Sequence, residues 1–438
     1  MLKKIFFILL LCTSSYPITT DMIQQGTAYL NEQNLDAAYT CFCNALVLDL
    51  NQEQLRIVGN SLLTIGNNYY NHAHMEKAAK VFEKLVTLFP TSPAVQFNLG
   101  YTLIELTQYR RAQECFKIAC SLKPETPEFC VALATALLAT GDYQQGWPLY
   151  EYRWQLPDKK AVVMNAPRWD GISSLHGKRM LLLSEGALGD CIQFVRYAHI
   201  LKQQGAYIIL KTLSPLRQLL NLCPYIDEII THNESTIAVD YYTSLMSLPA
   251  LLHATIETVP STIPYIFANT SLHNEWHTKL NHDKKIKVGI CWQADTANDA
   301  NRPPRAQRTI SAQAFAPLAQ IDPITLYSLQ HGQIAPSFMH DFGPELDTTH
   351  GRFMDTAAII SNLDLVISVD TSIAHLAGAL GIATWLLLPY KADWRWLDAG
   401  DTCPWYPNMR IFRQRYDEGW QTVIDRIKQE LSNISDTQ

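Results

Sequence analysis

The chain has 438 residues, of which 47% are hydrophobic and 17% are charged, and its formal net charge is −6. This length predicts two or three domains, and the composition is typical of globular proteins and not of disordered ones. A negative chain without a basic block argues against binding to nucleic acid or to an anionic membrane surface. The ten cysteines include no C-x-x-C pair, so we expect buried free thiols and neither a metal site nor a disulfide framework.

The first residues combine positive charge with a short apolar run. Lys3 and Lys4 precede an apolar stretch from Ile5 to Cys12, as in a secretory signal. No small-x-small cleavage site follows, and the stretch is too short to span a bilayer. Residues 1–17 are therefore either an export signal or membrane-edge anchor, or simply the start of a first helix.

A repeat of 34 residues runs through the first third of the chain. Small residues recur where two antiparallel helices approach closely, and aromatic residues recur in the gap between them. These offsets match the tetratricopeptide repeat, so residues 18–158 are predicted to form a helical solenoid whose groove takes a protein or peptide. The positions that match at this period are Ile65, Gly66, Tyr69, Ala78, Phe82, Leu85 and Pro90, then Leu99, Gly100, Leu103, Ala112, Phe116, Ala119 and Pro124, then Leu133, Ala134, Leu137, Gly146 and Tyr150. An earlier copy, shifted by six inserted residues, contains Gly26, Tyr29, Ala38, Phe42 and Ala45.

The second half of the chain alternates short apolar runs with helix-length segments. The runs are RMLLLS, AYIILKT, IDEIIT, IKVGICW, ITLYSLQ, LDLVISV and ATWLLLP. Nearly continuous apolar runs predict parallel strands that helices cover on both faces. Because the polar stretch 269–285 separates two groups of runs, we expect two Rossmann-type α/β domains, at residues 159–284 and 285–438, with ligands at the carboxyl ends of the strands.

The first α/β domain contains the stretch LLLSEGALGDCIQFVRY, which reads as strand, turn and helix. Gly186 and Gly189 allow close approach of the backbone, and Asp190 opens the helix. Asp190 is either a helix cap or a general base that faces the cleft between the two domains. The turn lacks the pattern G-x-G-x-x-G, which argues against a nicotinamide-dependent enzyme.

The second α/β domain contains LDLVISVDTSIAHLAGALG, in which an apolar strand ends at Asp370 and a helix of small residues follows. Thr371 and Ser372 can cap this helix, and its free N–H groups are suited to binding phosphate. His375 either donates to a phosphate or sugar, or is a buried core histidine. Three arginines follow the run IKVGICW, which precedes this strand in the chain; they are Arg302, Arg305 and Arg308. One of them could contact a diphosphate, or all three could lie on a solvated surface.

Residues from about 150 to 425 resemble one bacterial group of proteins. The resemblance rests on APRWDG, SEGALGDCIQFVRY, SLMSLP, VGICW, YSLQ, MDTAAIISNLDLVISVDTSIAHLAGALG, LLLPYKADWRW and PWYPNMRIFRQ, in this order. The group consists of tetratricopeptide-repeat proteins whose C-terminal half is similar to the ADP-heptose:lipopolysaccharide heptosyltransferases. The order of domains is also similar to that of the repeat-bearing O-linked N-acetylglucosamine transferases.

The resemblance implies a metal-independent GT-B glycosyltransferase. The first α/β domain would hold the acceptor and the second a nucleoside-diphosphate-sugar, with no other cofactor, since no Asp-x-Asp occurs. Asp190 stands at the position of the proposed catalytic aspartate, in a loop region with Gly186, Gly189 and Gln193. The positions that match the donor side are Trp292, Arg308, Asp355, Thr356, Asp370, Thr371, Ser372 and His375.

Two glycines of the group's pattern are missing from this chain. Ala187 replaces one in the turn before Asp190, and Ala294 replaces the other, which normally follows the tryptophan at 292. A glycine with positive φ could not be replaced without a change of loop geometry. The alternative function is therefore a repeat scaffold with an inactive transferase-like domain. Since nucleotide-sugars are cytoplasmic, we expect a cytoplasmic protein, with association with the inner membrane and export through residues 1–17 as open alternatives.

Overall fold

The computed structural model of the protein describes residues 18–157, 165–232, 234, 238–282, 284–294, 299–300, 302 and 306–435. Two expectations from the sequence lie outside these residues: the signal or anchor at residues 1–17 and a diphosphate contact by Arg305. Within the described residues, no helix combines the length and the apolar character that crossing a membrane requires.

The chain separates into two compact units between Thr140 and Gly141. The first unit consists of consecutive helices joined by short turns. These helices are α1 (18–31), α2 (Leu35–Ala45), α3 (Gln52–Asn71), α4 (Met75–Leu88), α5 (Pro93–Glu105), α6 (Tyr109–Leu122) and α7 (Pro127–Ala139).

The helix pairs of the first unit repeat both a close approach and a turn geometry. A Cβ atom built on Gly100 would lie 2.5 Å from the ring of Phe116, so only glycine allows α5 and α6 to approach this closely. The turns between paired helices contain Gln33, Ala73 and Thr107, all with φ between 55° and 61°. Their positive φ reverses the chain over a few residues. The helical repeats predicted from the sequence are confirmed.

The boundary of the repeats differs from the one expected at residue 158. Helix α8 (Tyr143–Tyr150) and the 3-10 helix Glu151–Gln155 belong to the second unit, because α8 buries its aromatic residues there. Its Trp147 ring lies 5.3 Å from the ring of Trp394. Aromatic residues at repeat spacing can pack on any apolar surface, so their spacing alone does not show which unit they join.

The second unit contains two sheets in which every strand pair is parallel. The first sheet has the order β3-β2-β1-β4 and the second has the order β6-β5-β7-β8-β9. The strands are β1 (Arg179–Leu183), β2 (Tyr207–Thr212), β3 (Glu228–Thr231), β4 (Tyr241–Ser244), β5 (Ile286–Cys291), β6 (Ile324–Ser328), β7 (Leu365–Val369), β8 (Thr384–Leu388) and β9 (Met409–Arg413).

Helices of very different length connect these strands. After α8 they are α9 (Leu188–Phe194), α10 (Tyr197–Gln203), α11 (Arg217–Leu220), α12 (Leu248–Leu251), α13 (Thr270–Leu280), α14 (Met354–Ile360), α15 (Ser372–Leu380) and α16 (Trp420–Ser435). Short 3-10 helices occupy Ser214–Leu216, Leu245–Ser247, Ala312–Gln320 and Trp394–Trp396. The core of the second sheet lies between its strands and α16, where Ile290, Ile367 and Ile424 are fully buried.

The seven apolar runs identified in the sequence are all strands, whereas β4 and β9 do not belong to those runs. Both missed strands lie at the edge of their sheet. Strand β4 begins with two half-exposed tyrosines, and β9 carries two half-exposed arginines, Arg410 and Arg413. Edge strands have one unpaired side, so they need less apolar sequence than central strands.

The connectivity of the two sheets determines where a ligand is expected. The chain order changes direction between β1 and β4 in the first sheet and between β5 and β7 in the second. In open parallel sheets, ligands bind in the crevice beyond the carboxyl ends of the strands at this reversal. The loops after β1 and β7, which carry Asp190 and Asp370, both lie at such a point.

Candidate functional site

Asp190 lies in the first turn of α9, just beyond the carboxyl end of β1. Gly186 has a φ of 76° in the turn between them, and a Cβ atom there would collide with the Asp190 carboxylate. The backbone N–H of Ala187 donates to Asp190 Oδ2 at 2.6 Å, so the carboxylate closes the turn as a capping group. The Asp190 side chain nevertheless keeps 20% of its surface exposed. Capping and a chemical role are therefore compatible.

The two alanines that replace family glycines occupy ordinary backbone conformations. Ala187 has φ −95° and ψ −179°, an extended conformation that any L residue adopts. Ala294 is not among the described residues with positive φ. Neither alanine therefore has the positive φ that would require a glycine.

Arg395 joins the carboxylate of the first sheet to the loops of the second sheet. It lies in the 3-10 helix after β8, and its Nη2 donates to Asp190 Oδ1 at 2.5 Å. Its Nε donates to Gln193 Oε1 at 3.0 Å, and its Nη1 donates to Asp393 Oδ1 at 2.7 Å. Side chains from both sheets thus meet at one point.

The charges in this cluster stabilise one another. Burial by itself would lower the pKa of Arg395, but the neighbouring Asp393 and Asp190 outweigh it and raise that pKa. Burial likewise raises the pKa of Asp393, but the charge and hydrogen bonds of Arg395 outweigh it and lower that pKa. The guanidinium and the Asp393 carboxylate are therefore both ionised at neutral pH.

The N-terminus of α15 forms the second part of the site. Thr371 is its N-cap residue, and Thr371 Oγ1 accepts from the Ile373 N–H at 3.3 Å. Arg308 Nη1 donates to the Asp370 carbonyl at 2.8 Å and lies 3.5 Å from Asp370 Oδ2. Burial raises the pKa of Asp370, and Arg308 opposes this effect. A helix N-terminus and an arginine therefore lie together at the carboxyl end of β7, as the phosphate hypothesis requires.

Asp299 fixes the backbone at Arg308 and Thr309 through hydrogen bonds. Its carboxylate accepts from the backbone N–H groups of Arg308 and Thr309, at 3.0 Å and 2.9 Å. Arg302 lies farther away, with its Nε 3.8 Å from Asp299 Oδ1. Of the two arginines that the structure describes in this segment, Arg308 is the one with a hydrogen bond to Asp370, directly before α15.

His375 is buried between α15 and α9. Burial lowers its pKa to about 3, so the imidazole is neutral. Its Nδ1 is 2.9 Å from the Tyr406 hydroxyl, and its ring packs 5.0 Å from the ring of Trp396. This environment corresponds to the core histidine that the sequence left as an alternative, and a donor-binding role for His375 stays a prediction.

Three other residues that the sequence predicts to bind the sugar donor have side chains that are buried in the core or bonded to other side chains. Trp292 is buried in the core of the second sheet. Asp355 accepts from the indole N–H of Trp276 at 2.9 Å, and Thr356 donates to Asp347 at 2.6 Å. Their donor-binding role also stays a prediction, and their side chains are not part of the Asp190–Arg395 cluster.

Reasoning from the sequence missed two members of the cluster, Arg395 and Asp393. Both belong to the run D-W-R-W, one of the most specific parts of the family resemblance. An ion pair between tryptophans is unusual because charged side chains rarely lie among large apolar ones without a partner. That signal could have identified them.

Comparisons with known proteins found a repeat-family match and a protein of similar sequence. Residues 93–126 match the tetratricopeptide repeat model. Protein FlbA of Caulobacter vibrioides is 23% identical over 416 residues, which cover 85% of this chain and 67% of that protein.

Two solved structures are similar to the second part of the chain. A glycosyl transferase of family 9 from Veillonella parvula covers 61% of this chain and 100% of its own, with 11% identity and a TM-score of 0.45. ADP-heptose lps heptosyltransferase II of E. coli covers 59% of this chain and 99% of its own, with 12% identity and a TM-score of 0.41. Similarity at this level assigns no activity to this chain.

Proposed function

We propose that the second unit is a metal-independent glycosyltransferase that moves a sugar from a nucleoside-diphosphate-sugar to an acceptor hydroxyl. The observation that carries the proposal is the contact between Asp190 and Arg395. It joins a carboxylate at the reversal point of the first sheet to the carboxyl end of the second sheet, where α15 and Arg308 supply positive charge. A base facing an anion site is the arrangement that this transfer needs.

The donor diphosphate is assigned to the N-terminus of α15. The first N–H groups of a helix have no partner within the helix, and the helix dipole favours negative charge there. Arg308 and Arg395 add two cations near this end. When the bond between the sugar and the diphosphate breaks, the negative charge that develops on the leaving phosphate is stabilised by these groups.

Asp190 is assigned as the base that accepts the proton of the acceptor. Each of its oxygens already accepts one hydrogen bond, from Arg395 and from Ala187. A carboxylate offers about four lone-pair sites, so it can still accept a bond from a hydroxyl. The hydroxyl proton passes to Asp190, the oxygen bonds to the anomeric carbon, and the nucleoside diphosphate leaves.

The first unit is assigned to recruitment of a protein acceptor or a partner. One surface cavity of about 190 Å³ is lined by two asparagines and three aromatic residues. Its asparagine amides can bond a peptide backbone, and Tyr101 is 39% exposed for apolar contact. The lining residues are Asn67, Tyr70, Phe82, Asn98 and Tyr101.

The test measures release of nucleoside diphosphate from a panel of nucleotide-sugars, with and without a lysate depleted of this protein as a source of acceptor. Asp190→Asn should retain binding of the nucleoside diphosphate, seen as a thermal shift, and lose about 100-fold or more in turnover. Asp401→Asn is the matched control, because Asp401 has a 68% exposed side chain outside the cluster. Undiminished turnover by Asp190→Asn would reject the base. If no nucleoside diphosphate shifts the wild-type protein, the scaffold alternative replaces the proposal.

A further inference from the structure

Arg153 is a buried arginine in the 3-10 helix that precedes the first sheet, and its side chain is 4% exposed. Its Nη2 donates to Glu185 Oε1 at 2.5 Å, and its Nε donates to Glu185 Oε2 at 3.2 Å. This is the bidentate geometry in which guanidinium and carboxylate fit best. Its Nη1 also donates to Glu151 at 2.5 Å.

Glu185 belongs to the turn that carries Asp190. It directly precedes Gly186, which makes room for the Asp190 carboxylate. The hydroxyl of Ser244, at the end of β4, donates to Glu185, and Arg153 Nη2 reaches Ser247 at 2.8 Å. Arg153 therefore links the loops that follow β1 and β4, the two strands at the reversal point of the first sheet.

The helix before Arg153 contacts both sides of the cluster. The Trp147 ring lies 6.1 Å from Phe194 at the end of α9 and 5.3 Å from Trp394, the neighbour of Arg395. It also lies 6.3 Å from Trp405, which Tyr143 approaches to 5.8 Å. The segment from Tyr143 to Gln155, which we call the strap, thus packs on the element that carries Asp190 and on the one that carries Arg395.

We infer that Arg153 is a positioning residue for the Asp190 turn and acts through Glu185, so that the strap is part of the transferase site. The inference rests on the proposed function. A buried ion pair contributes little to stability compared with apolar packing, because both charges lose their hydration. What it supplies here is a fixed direction for Glu185, and with it a fixed conformation of the turn in which Asp190 accepts from Ala187.

Holding both oxygens of Glu185 requires an arginine at position 153. A lysine in place of Arg153 would present a point charge on a flexible stem and could hold one carboxylate oxygen at a time. A methionine would fill a similar volume and leave Glu185 with Ser244 as its remaining partner among those named. Arg153→Lys and Arg153→Met therefore form a graded series that separates charge from packing.

The test combines hydrogen exchange with kinetics on the full chain. In Arg153→Met, backbone amides of residues 184–194 should exchange at least about 10-fold faster, while those of residues 365–380 keep the wild-type rate. The turnover number should fall by about 10- to 100-fold, since small misplacements of a reacting group have effects of this size. The KM for the nucleotide-sugar and the Kd for the free nucleoside diphosphate should stay within about 2-fold.

Compared with Arg153→Met, the variant Arg153→Lys should show slower amide exchange in residues 184–194 and a higher turnover number. Arg426→Met is the control. Arg426, on α16, pairs with Glu418 at 2.9 Å and makes no hydrogen bond to Asp190, Glu185 or Arg395 among the described residues, so its loss tests a general effect of breaking an ion pair. Unchanged exchange of residues 184–194 in Arg153→Met would overturn the inference, even if no nucleotide-sugar were ever found to react. Equal losses in turnover and nucleoside diphosphate affinity, shared with Arg426→Met, would show a merely structural role. A wild-type protein that binds no nucleotide would instead reject the proposed function, and the exchange result would still decide the positioning role.

Discussion

The contact between Asp190 and Arg395 joins two residues that are 205 positions apart in the chain. Arg395 also has Asp393 as a partner and lies 4.4 Å from the ring of Trp394. An arginine held by two carboxylates and an aromatic face has little freedom to move. It can therefore hold Asp190 in one orientation and still present positive charge to the diphosphate of the proposed sugar donor.

Replacing Arg395 by methionine should affect both stability and turnover. The change leaves Asp190 and Asp393 without their cation, so the free energy of unfolding should fall by about 1–3 kcal/mol. Turnover should fall by about 100-fold, because the change removes a preorganised cationic hydrogen-bond donor near the leaving diphosphate of the proposed reaction. Urea unfolding and release of nucleoside diphosphate measure the two effects. Turnover at the wild-type level would show that Arg395 has only a structural role.

His375 should make stability depend on pH in a defined range. Its folded-state pKa is lowered from 6.5 to about 3, first by burial and then by the charge of Arg395. The unfolded chain therefore binds a proton that the folded chain does not. This contribution to stability is fully present above about pH 6.5 and is lost as the pH falls from there toward about 3, by about 1.4 kcal/mol per pH unit.

The variant His375→Asn isolates this effect. Its amide can occupy the position of Nδ1 and keep the bond to the Tyr406 hydroxyl, but it does not titrate. Urea unfolding between pH 4 and pH 7 should give a flatter pH dependence for the variant than for the wild type. The same slope in both proteins would mean that His375 is protonated in the folded state.

At the scale of elements, the two halves of the second unit meet where α9 crosses α15. Gly189 allows this contact, because a Cβ atom there would lie 2.9 Å from Cδ2 of His375. The segment after β4 adds main-chain bonds, with the Tyr265 N–H donating to the Ala379 carbonyl at 3.0 Å. The short distance between α9 and α15 therefore depends on the absence of a Cβ atom at Gly189.

Gly189→Ala should destabilise the protein although alanine favours helices. The gain in helix propensity is at most about 1 kcal/mol, whereas overpacking a close contact costs about 1–3 kcal/mol. The melting temperature should fall, and turnover should fall with it because Asp190 is the next residue. Gly419→Ala serves as the control, since a Cβ atom at Gly419 would meet nothing within 4 Å. Equal melting temperatures for both variants would show that α9 can shift to make room.

At the scale of the whole molecule, the strap decides where the second unit begins. Tyr143 and Trp147 are each 1% exposed, so their removal would expose the aromatic surface they cover. Spacing in the sequence assigns these residues to the repeats, whereas their burial assigns them to the second unit. A fragment that starts at residue 159 would lack the entire strap.

Fragments that begin at residue 141 and at residue 159 should therefore behave differently. The fragment 141–438 keeps the aromatic contacts and the Arg153–Glu185 pair, so it should be soluble and unfold cooperatively. The fragment 159–438 exposes a contiguous apolar surface and should aggregate or melt at a lower temperature. Size-exclusion chromatography and calorimetry measure both outcomes. Equal stability of the two fragments would mean that the strap contributes nothing to the unit.

Much of the architecture could be predicted because it depends on local periodicity. The spacing of Gly66 and Gly100 from their aromatic partners identifies the repeats, and continuous apolar runs identify the central strands. The edge strands β4 and β9 were missed because one open edge relaxes the need for apolar residues. Asp190 and Thr371 could be named in advance because each follows a strand in a recognisable turn, whereas Arg308 was singled out by the family resemblance.

The sequence by itself determined the repeat array, the two parallel sheets and the turns at Asp190 and Asp370, since all of these are encoded by residues close together in the chain. Only the tertiary structure decided that Arg395 contacts Asp190, that His375 is buried and neutral, and that Arg153 holds Glu185. These three facts depend on which distant surfaces meet. Burial changes the protonation of a histidine, and the partner of a buried charge is selected by geometry in space and not by spacing in the sequence.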